Sequence, residues 1–340
     1  MNTPKLRWGV LSTGSIANQL AGSISKSATS EVVAVASRTE EGSRAFSGRH
    51  GTRHAHADYG SLIGNPEVDI VYVAPPHPMH VEWAVRAAEA GKHVLCEKPA
   101  GMSAAEVEEM TTAAKKHGVF FMEAFMYRCH PQIKTLRSLI RSGEIGTVRM
   151  IHAALSFYRG PYSTNDRLIS KKLGGGAILD VGCYVASMAR MVAGEASGGR
   201  HAEPTEVKAL SRLEPREQTD LISTAMLSFG DGPIAMLQCG MQFWSENIVR
   251  IEGDAGRITL TSPWFAEAGK STIRIHDQQS GGERILNTAT PDRGLYDHEV
   301  EEVARCIAAG VKESPEMDWN DSLGNARTLD RWLEASGLQY

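Results

Sequence analysis

From Leu6 to Met122 short apolar runs alternate with helix-patterned stretches, and few chain paths bury both kinds of segment in that rhythm. Leu6 to Leu11, Val32 to Ala36, Asp69 to Ala74, His93 to Cys96 and Val119 to Met122 read as buried strands. Between them Ile16 to Ser25, Glu40 to His50 and Met79 to Ala90 read as helices. Ser103, with Glu106 three residues on, forms a capping box for another that ends near Gly118. Strands joined by helical crossovers predict a doubly wound parallel α/β sheet.

After about residue 145 the grammar changes. Thr147 to Tyr158, Thr205 to Arg212, Asp220 to Phe229, Pro233 to Trp244, Asn247 to Glu252, Gly256 to Thr261 and Ser271 to His276 are strand candidates. Turns such as Gly230-Asp231-Gly232 and Gly253-Asp254-Ala255-Gly256 are hairpin chemistry, so this part reads as α+β with one large, mostly antiparallel open sheet. Gly175 to Ala193, His298 to Ala309 and Ser322 to Ala335 are helix-like and would cover one face. We set the domain boundary so that residues 1–125 form the parallel domain and 126–340 the α+β domain.

Composition narrows the classes of function. A length of 340 residues allows two domains of ordinary size, and 42% hydrophobic with 22% charged residues is globular rather than disordered. The formal net charge of -4 gives no field for nucleic acid, and no apolar stretch suggests a membrane span or leader. Cys96, Cys129, Cys183, Cys239 and Cys306 are scattered and odd in number, which suggests reduced thiols and a cytoplasmic location. Neither His54/His56 nor His77/His80 has partners at zinc-site spacing, so no metal is expected.

The first βα turn carries the first chemical signal. In Gly9-Val10-Leu11-Ser12-Thr13-Gly14-Ser15-Ile16-Ala17, Ser12, Gly14 and Ala17 fall on the three positions of the G-x-G-x-x-G/A dinucleotide fingerprint. Gly14 is the one that lets a pyrophosphate approach the backbone. Where NAD-binding sheets place an acid for the ribose, about 20 residues on, this chain has Ser37-Arg38-Thr39, which favours the 2′-phosphate of NADP, with NAD possible. Against this stands the reading in which Arg38 is a solvated charge and Glu40 or Glu41 reaches the ribose. Further along, His93 to Cys96 runs into Glu97-Lys98-Pro99, which sets Lys98 at the carboxyl end of a strand, where open α/β sheets bind ligands.

Gly91 to Pro99, Pro76-His77-Pro78-Met79-His80, Glu123 to Arg128, Gly174 to Tyr184 and Tyr296 to Val300 together resemble the Gfo/Idh/MocA oxidoreductase family. The resemblance is strongest to the branch of dimeric dihydrodiol dehydrogenases, NADP-dependent xylose dehydrogenases and glucose-fructose oxidoreductase. It implies a Rossmann domain and a Lys-Pro peptide that is often cis and aims Lys98 at the nicotinamide; a homodimer is expected on other grounds, because helices cover one side of the second sheet and strands such as Pro233 to Trp244 leave a half-apolar face open. It implies that Asp180 holds the substrate and that Tyr184 stands where inositol dehydrogenases have histidine. Ser12 and His77 depart from the family pattern.

The residues form a coherent set of roles. Oxidising a secondary alcohol needs a base near neutrality, and an ammonium beside a phenol lowers its pKa; this would be Lys98 acting on Tyr184. Asp180 and Tyr184, four residues apart, would share a helix face. The cofactor-binding candidates are Ser12, Thr13, Gly14, Ser15, Ile16, Ser37, Arg38, Pro75, His77, His80, Glu97 and Lys98, although His80 and His130 also read as packing histidines. The substrate-binding candidates are Phe125, Arg128, Tyr158 and Asp180, with Tyr127, Phe157 and Tyr162 as further aromatic lining. Arg128 and Arg159 read either as anion ligands or as partners of local acids. The expected activity is NADP-dependent hydride transfer at a secondary alcohol, ketone or hemiacetal carbon of a cyclic sugar or polyol. A redox-assisted glycoside hydrolase and a nucleotide-sensing regulator are the alternatives.

Overall fold

A computed structural model of the protein describes residues 4–162, 166–266 and 271–340. Met1, included in the leader reading, lies outside them. Contacts divide the chain into two compact units, the first made of Met1–Gly101, Ala105–Cys129 and Arg293–Ser322.

The first unit holds β1 (Leu6–Leu11), α1 (Ser15–Lys26), β2 (Ser30–Ala36), α2 (Glu40–His50), β3 (His54–His56), α3 (Tyr59–Ile63), β4 (Ile70–Val73), α4 (His80–Glu89), β5 (His93–Glu97), α5 (Ala104–His117) and β6 (Phe121–Ala124). Its six strands are parallel in the order β3-β2-β1-β4-β5-β6, so the winding reverses between β1 and β4. Ligands of such sheets lie beyond the strand ends at that reversal. Trp8 to Leu11 and Ile70 to Val73 are buried throughout, as strands covered on both faces must be. At Gly9 a side chain would fall 2.7 Å from Leu62, so the glycine lets α3 close on the sheet.

The second unit begins with α6 (Pro131–Arg141) and β7 (Val148–Ser156), then the turn Ile178–Gly182 running into α7 (Cys183–Ala196). The strands β8 (Glu206–Leu213), β9 (Asp220–Ser228), β10 (Ile234–Gly240), β11 (Ile248–Gly253), β12 (Gly256–Thr261), β13 (Thr272–Asp277) and β14 (Glu283–Asn287) follow. The eight-stranded sheet has the order β14-β13-β12-β11-β7-β10-β9-β8 and is antiparallel except where β7 meets β10. Along β10, Ala235, Leu237 and Cys239 are buried while Ile234 and Met236 are exposed, the period-2 mark of a sheet covered on one face. Lys171–Ala196 is the one described helical stretch long and apolar enough to cross a membrane, and its most apolar 18-residue window is wholly buried in the fold.

α8 (Leu295–Ala308) returns the chain to the first unit, and α9 (Trp319–Ala335) starts there and ends in the second. The sequence boundary at 125/126 groups Arg293–Ser322 with the later residues; by contacts that segment joins the first unit. Phe121 N donates to Lys312 O at 3.0 Å and Trp319 Nε1 to Phe121 O at 3.0 Å, so part of it lies against β6.

Candidate active site

On the first unit the turn after β1 is built for a polyanion. Ser12, at the first fingerprint position, has φ +96°, and its Oγ accepts from Gly14 N at 3.3 Å. A Cβ at Gly14 would meet only Ser12 Oγ, at 3.6 Å, so this backbone stands open to an approaching group. Gly14 caps α1 without a side-chain bond, no acid sits in the first turn, and the helical ladder starts with Asn18 N donating to Gly14 O at 3.1 Å. The N–H groups of Ser15 and Ile16 precede that ladder, beside Thr13, as a phosphate site requires.

At the end of β2, Ser37 is nearly buried, while Arg38 is exposed and makes no ion pair among the described residues. Glu40 is held by Arg44 at 2.5 Å, and both Glu40 and Glu41 lie in the first turn of α2 behind the Thr39 cap. An unpaired guanidinium with no acid on the strand end fits a 2′-phosphate.

The ends of β4 and β5 are tied together by His80. Its two ring nitrogens lie 2.9 Å from Pro75 O and 3.0 Å from Pro99 O. Burial pushes its pKa down to about 4 against the pull of those carbonyls, and the ring, wedged between them, packs against the Lys98–Pro99 turn. That peptide is cis. His77 is buried with its ring edge-on to His80. Glu97 turns inward to accept from the Tyr72 hydroxyl, and Glu123 Oε1 accepts from Ala100 N at 2.9 Å. Tyr72 and Glu123 are residues that sequence reasoning missed. The available signal was a phenol and an acid set inside short, otherwise apolar parallel strands.

On the second unit Asp180 and Tyr184 do share a helical segment, but its geometry is not a plain α-turn. Ile178–Gly182 is wound wider, with i to i+5 bonding from Cys183 N to Ile178 O, before α7 proper begins. Such insertions recur where side chains must be re-aimed. Asp180 is nearly buried and lies 3.3 Å from Arg167 Nη2. Tyr184 is nearly buried, edge-on to Trp264 at 6.1 Å between ring centroids, and Trp264 Nε1 donates to Ala154 O at 2.9 Å.

A cavity of about 400 Å³ in this unit is lined by Tyr158, Pro161, Tyr162, Arg216, Leu221 and Gln242. Tyr158 is exposed, and Tyr162 donates to Met241 O at 2.7 Å, with burial pushing its hydroxyl up to about 12. The arginines around it have acidic partners: Arg159 with Asp166 at 3.2 Å and Arg216 with Glu214 at 3.0 Å. Arg128 is likewise committed, buried against Asp321 at 2.6 Å. Phe125 and Tyr127 are fully buried, packed edge to face at 5.9 Å, so the open aromatic surface belongs to Tyr158 rather than to them. His130 accepts from Gln132 N at 3.1 Å and caps α6, the packing role. Among the described residues no group of three or more His, Cys, Asp and Glu is placed to hold a metal.

Comparison with known proteins agrees with this architecture. Residues 6–125 match the NAD-binding Rossmann-fold model of the oxidoreductase family, and residues 133–259 match the Gfo/Idh/MocA C-terminal domain. A trans-1,2-dihydrobenzene-1,2-diol dehydrogenase of Xenopus laevis is 33% identical, covering 98% of this chain and 99% of its own length. A 3-ketoreductase of Actinomadura kijaniata, crystallised with NADP and TDP-benzene, superposes with a TM-score of 0.87 at 28% identity over 98% of each chain. An aldose-aldose oxidoreductase of Caulobacter crescentus, crystallised with glycerol, gives 0.86 at 25% identity over 98% of each chain. Domain models at both ends and full-length relatives above 30% identity lead to one conclusion: the chain belongs to the Gfo/Idh/MocA oxidoreductases, as an NAD(P)-dependent dehydrogenase or reductase.

Proposed function

We propose that this enzyme uses NADP in preference to NAD to oxidise or reduce a neutral cyclic sugar or polyol at a secondary alcohol, ketone or hemiacetal carbon. The observation that supports the substrate class is the charge pairing on the second unit, where Arg159, Arg167 and Arg216 each face an acid, Asp180 being the partner of Arg167. A site so neutralised offers a ring face and hydrogen-bonding groups rather than net positive charge. The relatives, a dihydrodiol dehydrogenase, a 3-ketoreductase and an aldose-aldose oxidoreductase, are named for hydroxyl, keto and aldose compounds, which fall within that range.

In this reading Ser12, Thr13, Gly14, Ser15 and Ile16 receive the pyrophosphate, and Ser37 and Arg38 receive the ribose phosphate. The nicotinamide, when bound, supplies hydride exchange with carbon. Pro75, His77, His80 and Glu97 shape the turn that carries Lys98. Lys98 polarises the substrate oxygen and favours the ionised phenol of Tyr184, which takes or returns the hydroxyl proton. Asp180, steadied by Arg167, accepts hydrogen bonds from neighbouring hydroxyls.

A panel of xylose, glucose, anhydro sugars, sugar acids and sugar phosphates, followed by nicotinamide absorbance with NADP and NAD, tests the reading. Saturable turnover confined to the neutral compounds is expected, and turnover confined to the acids or phosphates overturns it. We further read the enzyme as a homodimer through the uncovered sheet face, and as cytoplasmic, since its five cysteines are buried and none is joined in a disulfide.

A further inference from the structure

Behind the Asp180–Tyr184 segment lies a carboxyl that the roles above do not use. Asp220, the first residue of β9, is fully buried. Its Oδ2 accepts from Ile178 N at 2.7 Å, at the start of the wide turn, and its Oδ1 has no hydrogen-bond partner among the described residues. Oδ1 instead faces Gly176, whose φ is +114°. A Cβ there would fall 2.4 Å from Oδ1 and 2.5 Å from the Tyr340 hydroxyl. That hydroxyl donates to Gly175 O at 2.5 Å. Asp220 and Tyr340 therefore clamp Gly175 and Gly176, just ahead of the helical segment that carries Asp180 and Tyr184.

We propose that Asp220 is a positioning residue for the reaction, holding the wide turn in register as a carboxylate and releasing it when protonated. The proposal rests on Asp180 and Tyr184 being the reacting face. Hydrogen bonds from peptide N–H groups to a carboxylate are about twice as strong as those to a neutral acid, so the ionised form holds Ile178 more firmly.

The surroundings put this titration in the working range. Burial, with the Asp180 charge as a smaller contribution, pushes Asp220 up to about 7 against the N–H groups of Ile178 and Ala177. The other titratable groups facing it are the Tyr340 phenol and the Cys239 thiol, both pushed upward chiefly by burial and partly by Asp220 itself. Arg167 pairs with Asp180 rather than with Asp220. A raised carboxyl pKa means that stability is greatest when the group is protonated and falls as pH rises through its folded pKa.

Parent enzyme, Asp220→Asn, Asp220→Ala, Tyr184→Phe and Trp264→Phe separate the possibilities. Trp264 touches Tyr184, so its emission reports the register of that face without any substrate. The parent is expected to show a change in tryptophan emission centred near neutrality that Asp220→Asn and Trp264→Phe both abolish. Using the sugar with the highest kcat/KM in the panel above, the parent-to-Asp220→Asn ratio of kcat should rise about threefold or more between roughly pH 6 and pH 8.5. Thermal stability of Asp220→Asn should equal or exceed the parent's at the upper pH, while Asp220→Ala, lacking any acceptor, should be less stable at both. An emission change that persists in Asp220→Asn, or a kcat ratio that is flat with pH while Tyr184→Phe is inactive, overturns the proposal. Parent-rate turnover by Tyr184→Phe overturns the assignment of the reacting face instead, and the emission titration then stands apart from it.

Discussion

Arg38 is the residue on which the proposed preference for NADP turns, because it is exposed, makes no ion pair among the described residues, and stands at the end of β2. Arg38→Ala should cost about 1.5–3 kcal/mol in NADP selectivity, the value of a charge-assisted bond, read as the NADP/NAD ratio of kcat/KM. An unchanged ratio would remove it from the cofactor site. Lys98→Met and Tyr184→Phe should each lower kcat by about 10²-fold or more with cofactor Kd little changed, as expected for loss of acid–base groups. Arg128 divides the readings differently. Its buried pairing with Asp321 predicts that Arg128→Met destabilises the fold by about 3–5 kcal/mol in urea titration, because the acid is left without its partner. A stable variant with a raised substrate KM would place the guanidinium on the substrate instead. The motif residues were legible because each has a chemical reason to occur at its spacing. The partners Tyr72, Glu123 and Asp321 were not, since an acid or phenol in an apolar run acquires meaning only when the chain brings its neighbour across from another element.

At the scale of elements, the alternating pattern of the first third translates directly into strands and helices, with β1 running over Leu6–Leu11 as read. The misses share a cause. β3 is a three-residue His-Ala-His strand with no apolar run, β14 is Glu-Arg-Ile-Leu-Asn at a sheet edge, and α6 hides its start behind a histidine cap. β10 stops at Gly240, short of Trp244, which is left largely exposed. Hydrophobic periodicity also cannot distinguish the wide Ile178–Gly182 turn from an α-turn, since it concerns one added residue of winding. The helix-like reading began at Gly175, but Gly175 and Gly176 lie outside the helix, and the reason for Gly176 is the pair of oxygens behind it. Gly176→Ala should therefore lower stability by about 1–3 kcal/mol and reduce kcat, measured by urea midpoint and by turnover, because both the backbone angle and the space refuse a methyl group.

For the whole molecule, the uncovered face of the eight-stranded sheet is the largest unexplained surface. Leu210, Met226, Ile234 and Met236 are exposed on the neighbouring strands β8, β9 and β10, interleaved with Lys208 and Thr224. Apolar side chains contiguous over several strands are unusual on a lone monomer. Leu210→Glu combined with Met236→Glu should give a folded monomer by light scattering where the parent is a dimer, and a parent that is monomeric at micromolar concentration would refute the assembly. The return of Arg293–Ser322 to the first unit has a consequence of another kind. A ribosome that has released only the first 125 residues has released β6 without the strip that bonds Phe121, and without α8. The nucleotide-binding unit must wait for most of the remaining chain before it can close, which predicts that a truncated 1–125 fragment is protease-sensitive and a poor fusion partner. The wait also leaves the unpaired edge of β6 exposed for as long as the second unit takes to be synthesised.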